Sequence, residues 1–120
     1  SSGGWMSLML AATAKTSVAS EVDLNGKLGV PAFRDAPLDV ACCVDFYGPT
    51  NFLLMDGQRP EGAELTHDEA YSPESKLMGY PIQEKPEETM KACPVTYVDA
   101  SMPPTLVMHG TADDKVPFGQ

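Results

Sequence analysis

Basic residues are few: 8 Lys and Arg stand against 17 Asp and Glu, for a formal net charge of -9. A nucleic-acid or anionic-membrane surface demands a basic face, so neither is an expected partner. No run approaches the roughly 20 apolar residues that a bilayer-spanning helix requires. Cysteine is too sparse for a disulfide framework. Cys42, Cys43 and Cys93 are odd in number, two are adjacent, and no C-x-x-C pair offers metal-ligand spacing. Buried free thiols are the expected reading of all three. The Asp113-Asp114 pair lacks a third carboxylate at fixed spacing, so no metal is expected, and no cofactor either. Internal repeats and low-complexity tracts are absent.

What remains is ordinary for a water-soluble domain: 42% hydrophobic and 21% charged residues, in a chain long enough for one small core. Residues 2–16, SGGWMSLMLAATAKT, read as a helix with apolar side chains on nearly every side, hence a buried one. Residues 17–38 read as a long loop. Residues 39–47, DVACCVDFY, and 104–109, PTLVMH, are continuous apolar runs that suit strands covered on both faces of a parallel sheet. Between them, residues 50–103 carry many prolines and most of the acidic residues. Loops and short helices are expected there, one starting at Pro86, as a cap-like insertion over one end of the sheet. VPFGQ at the end should begin another helix. Helices alternating with buried strands define an α/β class. Two strands make no stable sheet, so the chain reads as an internal piece of a longer protein that would fold poorly alone.

Two stretches carry chemistry. In a G-x-S-x-G elbow, a strand turns sharply into a helix with Ser at the apex, and small neighbours relieve the crowding. Ser1-Ser2-Gly3-Gly4 supplies the S-x-G part, with a helix following without a gap. Ser1 would be the nucleophile, and the Ser2 N–H at the helix start would face a developing oxyanion. A Ser-Gly linker is the alternative, though linkers do not run straight into Trp-Met-Ser-Leu-Met-Leu. The second stretch is Met108 to Pro117, MHGTADDKVP. An acid held just after a late strand can aim at a histidine nitrogen and fix its tautomer. Asp113 stands there; the competing reading makes it the cap of a following helix.

Together, SSGG, VDFYGPTNF, SPESKLMGYPI and CPVTYVDASMPPTLVMHGTADDKVPFGQ resemble the α/β-hydrolase superfamily, in its bacterial carboxylesterase and feruloyl-esterase-like (BD-FAE type) branch. The resemblance spans almost the whole chain and is weakest over residues 17–38 and 53–70. It implies a partial α/β-hydrolase fold, a parallel sheet with flanking helices, running from nucleophile elbow to acid loop. It implies Ser1 as nucleophile, Ser2 as an oxyanion-hole amide and Asp113 as triad acid. The substrate implied is a small-molecule or carbohydrate ester, such as an acetyl or feruloyl ester of polysaccharide, cleaved through an acyl-enzyme.

The His-Gly-Gly oxyanion loop of such enzymes and their catalytic histidine have no counterpart within these 120 residues. His109, ending a strand, reads as structural, and His67, in LTHDEA, as solvated. A serine without its base is a weak nucleophile, so this stretch by itself should be nearly inert. Asp45 reads as a strand-end residue bonded to backbone amides, Trp5 as core, and Tyr47 as part of the substrate-binding rim. Two other readings stay open: a prolyl-oligopeptidase-type serine peptidase, and a non-catalytic hydrolase-like binding module.

Overall fold

The computed structural model describes residues 2–14 and 40–120. In chain order these form α1 (Ser2–Thr13), β1 (Cys43–Phe46), α2 (Met55–Gln58), α3 (Pro73–Met78), α4 (Pro86–Met90) and β2 (Thr105–Met108), with single 3-10 turns at Phe52–Leu54, Ile82–Glu84 and Pro94–Tyr97. The expected loop at 17–38 lies outside the described residues, as do Ser1 and the last two residues of the expected first helix.

β1 and β2 pair in parallel, with Cys43 opposite Thr105 and Phe46 opposite Met108. The ladder continues past both ends: Cys43 N–H donates to Pro104 O and Tyr47 N–H to Met108 O, each at 2.9 Å. Parallel strands need a long crossover. Here it carries α2 to α4, the short helices expected of residues 50–103. Their boundaries follow local chemistry. Ser72 Oγ accepts the Ser75 N–H at 3.0 Å to start α3, Pro73 takes its first position, and Gly79 closes it at φ 80°. Pro86 opens α4 as the sequence indicates.

α1 packs on β1 through glycine. A Cβ on Gly48 would stand 2.6 Å from both Gly4 C and Trp5 N, so the helix backbone rests directly on the turn after the strand. Asp45, buried at the end of β1, accepts the Gly48 N–H at 3.0 Å, which is the strand-end role its sequence position indicates. One core gathers Leu8, Ala11 and Cys43 between α1 and β1. A second gathers Phe52, Met55, Ile82, Cys93 and Val116, with Trp5 packed on it. Trp5 Nε1–H donates to Ala92 O at 2.7 Å and so ties α1 to the crossover.

Four sequence expectations need correction. α1 is not buried on all sides: Gly4, Leu8, Ala11 and Ala12 face inward, whereas Met6 and Leu10 are exposed. β1 alternates, with Cys43 and Asp45 inward and Val44 and Phe46 exposed, and β2 is exposed throughout. Both strands therefore present apolar surface that the rest of the described chain leaves uncovered. Cys42 is exposed, while Cys43 and Cys93 are buried free thiols whose pKa values burial pushes up. Finally, residues 116–120 form turns, not a helix. Gln120 is drawn back to the chain after β1, accepting the Thr50 and Asn51 N–H groups at 3.0 and 2.9 Å through its side-chain oxygen.

Candidate active site

The chain leaves β2 at Met108, and the turn that follows is organised by the Asp113 carboxylate. Its Oδ1 accepts the backbone N–H of Lys115 at 2.8 Å and of Val116 at 2.9 Å. The capping geometry is thus present, although what it caps is a turn. Oδ2 lies 3.6 Å from His109 Nε2. That nitrogen donates to Val116 O at 2.8 Å, so His109 is engaged in holding the turn, as its strand-end position indicates. Phe118 and Tyr47 pack edge-on against its ring.

Partial burial of Asp113 acts to raise its pKa. The Val116 and Lys115 amides and the His109 ring outweigh this, and the net shift is downward. A lowered folded-state pKa contributes stability that is complete above the unfolded value of about 4 and is lost as pH falls through the folded value. The expected outcome is that Asp113→Asn is less stable than the natural protein at pH 7, and that this gap closes below about pH 4. Urea denaturation of both proteins at pH 7 and pH 3 checks it.

Tyr47 follows β1 at φ 45°, a left-handed conformation rare for an aromatic residue. Its ring is about half exposed and turned to Phe46 and His109. Tyr47 is not among the residues lining the cavity described next.

A cavity of about 470 Å³ lies between α1 and the crossover, with Ser2, Trp5, Phe52, His67, Glu74 and Val116 among its walls. Its size is that of small-ligand sites. It is bounded by the residue after Ser1 at one side and by the turn that Asp113 holds at another. Ser2 stands at the start of a twelve-residue helix with no acidic residue in its first turn, so the positive end of the helix is not offset there.

His67 corrects the sequence reading most. It is 1% exposed, not solvated. Its Nδ1 lies 3.0 Å from Glu74 Oε2 in the first turn of α3. The signal in the sequence was the helix start Ser72-Pro73-Glu74, which fixes a carboxylate seven residues beyond the histidine. Among the described residues no group of three or more His, Cys, Asp and Glu side chains is placed to hold a metal ion, and no helix is long and apolar enough to cross a membrane.

Comparison with known proteins gives this arrangement a family. The family model described as BD-FAE matches residues 1–120. The probable carboxylic ester hydrolase LipM of Mycobacterium tuberculosis (strain ATCC 25618 / H37Rv) is 32% identical over 91 residues, which is 75% of this chain and 20% of LipM. The solved structure of a bifunctional GH43-CE protein of Bacteroides eggerthii matches with a TM-score of 0.77 and 30% identity, covering 100% of this chain and 16% of that one. The chain belongs to the BD-FAE family. It spans about a fifth or less of the length of these relatives.

Proposed function

We propose that this chain is part of a serine carboxylic-ester hydrolase with an α/β-hydrolase fold. Ser1 attacks the ester carbonyl, the Ser2 N–H receives the oxyanion, and Asp113 orients the histidine that takes the serine proton. The acyl-enzyme is then released by water. The observation that carries the reading is the Asp113 turn: a carboxylate at the mouth of a parallel strand, kept ionised by two backbone amides. Membership of the BD-FAE family and the relative named as a carboxylic ester hydrolase support it.

Neither histidine of this chain fills the role of base. His109 Nε2 is spent on Val116 O, and His67 is paired with Glu74 rather than Asp113. We therefore assign the base to a histidine contributed from outside these residues, and expect this stretch by itself to be inactive. Residues 50–103 act as a cap, since they supply Phe52, His67 and Glu74 to the cavity wall. Tyr47, beside the Asp113 turn and outside the cavity wall, is assigned to the outer rim of the substrate site. The substrate class is a small-molecule or carbohydrate ester, with acetyl and feruloyl esters of polysaccharide as the first to try.

Pre-steady-state hydrolysis of p-nitrophenyl acetate by the natural full-length protein tests the acyl-enzyme. A burst of p-nitrophenol equal to the enzyme concentration is expected. Hydrolysis that is linear from the first turnover, with acyl release made slow by a bulkier acyl group, would count against it.

A further inference from the structure

Two turns stand back to back after Asp113. Asp113 Oδ1 accepts the Val116 N–H, which closes the first, and Pro117 O accepts the Gln120 N–H at 2.9 Å, which closes the second. Only the Val116–Pro117 bond lies between them. Both side chains are buried, and the proline ring fixes its own φ. A displacement of Gln120 is therefore passed to Val116. From there it reaches the Asp113 carboxylate and His109, which are bonded to the N–H and the carbonyl of that one residue.

Gln120 is itself firmly held. Its Oε1 accepts the Thr50 and Asn51 N–H groups, and its main-chain O accepts the Thr50 Oγ1–H at 2.7 Å. Its Nε2 donates to Gln58 Oε1 on α2, and Gln58 Nε2 donates in turn to Gly119 O at 3.2 Å. The two backbone N–H groups admit only an acceptor between them, which sets the side-chain oxygen on that side. Thr50 and Asn51 follow directly on Gly48 and Pro49, and Gly48 is the glycine on which the α1 backbone rests. The chain leaving β1 thus touches the helix that starts at Ser2 and, two residues on, takes hold of Gln120. The β1–β2 ladder is the other tie between these two parts, but its last hydrogen bond ends at Met108 O, five residues short of Asp113.

We propose that Gln120 is a positioning residue for the acid, holding the Asp113 carboxylate in a fixed place relative to α1 and hence to the nucleophile that precedes it. This rests on the esterase reading above. Gln120 acts through Asp113, not on the substrate. A triad acid works while it is aimed at a histidine nitrogen, so a small displacement costs turnover and not binding.

The test uses the natural full-length protein and p-nitrophenyl acetate, with rates taken per active site counted by fluorophosphonate labelling. Gln120→Met keeps the length of the side chain and removes both polar atoms. It is expected to lower kcat by about tenfold or more and to leave KM within about twofold. Gln120→Glu keeps an acceptor for the Thr50 and Asn51 amides and should bring kcat back to within about threefold of the natural protein. An unchanged kcat in Gln120→Met overturns the proposal. So does a loss that disappears once active sites are counted, because Gln120 would then serve stability alone, and so does an equal loss in the Met and Glu variants. If the natural protein cleaves no ester, the esterase reading fails separately, and the Asp113 carboxyl titration followed by carbon-13 spectra decides the proposal. Gln120→Met should move that pKa up from its lowered position toward the ordinary carboxylate value, as the Lys115 and Val116 amides slip from the carboxylate; an unmoved titration overturns it. Hydrogen exchange of the natural protein needs no variant. The Thr50, Asn51, Lys115 and Val116 amides should open together, with protection equal within about threefold. Thr50 and Asn51 exchanging freely while Lys115 and Val116 stay protected would overturn the link.

Discussion

Ser1→Ala is expected to lower kcat for ester hydrolysis by about four to six orders of magnitude while leaving the melting temperature unchanged. The size follows from how triads work. Serine, histidine and acid act as one unit, so losing the nucleophile forfeits nearly all that the three supply together, and only oxyanion and binding contributions remain. Among the described residues, the contacts that hold α1 run through Gly4, Trp5, Leu8 and Ala11. Steady-state kinetics with thermal melts on both proteins checks the pair of outcomes. A loss of activity accompanied by a large drop in melting temperature would point to a structural serine. Ser2→Ala separates the two serines. The group proposed to receive the oxyanion there is a backbone N–H, which alanine keeps, so its kcat should stay within a few-fold of the natural protein.

The second large effect concerns the glycine contact. Gly48→Ala is expected to destabilise the protein by about 3 kcal/mol or more, since the new Cβ would fall 2.6 Å from backbone atoms of α1 and no side chain can move aside. A melting temperature lower by roughly 10 °C would report it. Because α1 carries Ser2 and lines the cavity, the same displacement should raise KM even in molecules that fold. Gly57→Ala is the control. Its Cβ would meet nothing within 4 Å, and alanine is the better helix former at that position in α2. Equal melting of the Gly48 and Gly57 variants would show that the close approach of helix and strand does not exist in solution.

The elements that position the site were legible because their signals are local. The pair of glycines opening an apolar helix, the two β-rich runs, Pro86 as a helix start and the acid after the second strand depend on neighbours within a few residues, and each is found where the sequence puts it. Asp45 was legible for the same reason: a strand-end carboxylate three residues before Gly48 has a backbone amide within reach. What failed depends on distant partners. A continuous apolar run says that a strand wants cover on both faces, but not whether the described residues provide it. Hence Phe46 and the whole of β2 are exposed where burial was expected. His67 sits in the polar stretch LTHDEA and reads as solvated. Its burial comes from Asp56, eleven residues earlier, and from Glu74, seven later, brought round by a helix that the hydrophobic pattern does not reveal. The final segment was read as a helix from Val-Pro-Phe, yet Gln120 turns back to cap the chain after β1, a contact seventy residues away in sequence. For Tyr47, the left-handed backbone and the packing on His109 that join it to the Asp113 turn have no signal in the sequence.

Ser1 is the proposed nucleophile of a working triad. The most direct measurement is to treat the natural full-length protein with a fluorophosphonate, digest it and locate the adduct by mass spectrometry. One phosphonate per chain is expected, on Ser1, with no labelling in Asp113→Ala at the same exposure. An adduct on a different residue, or an unlabelled protein that still cleaves esters, would contradict it.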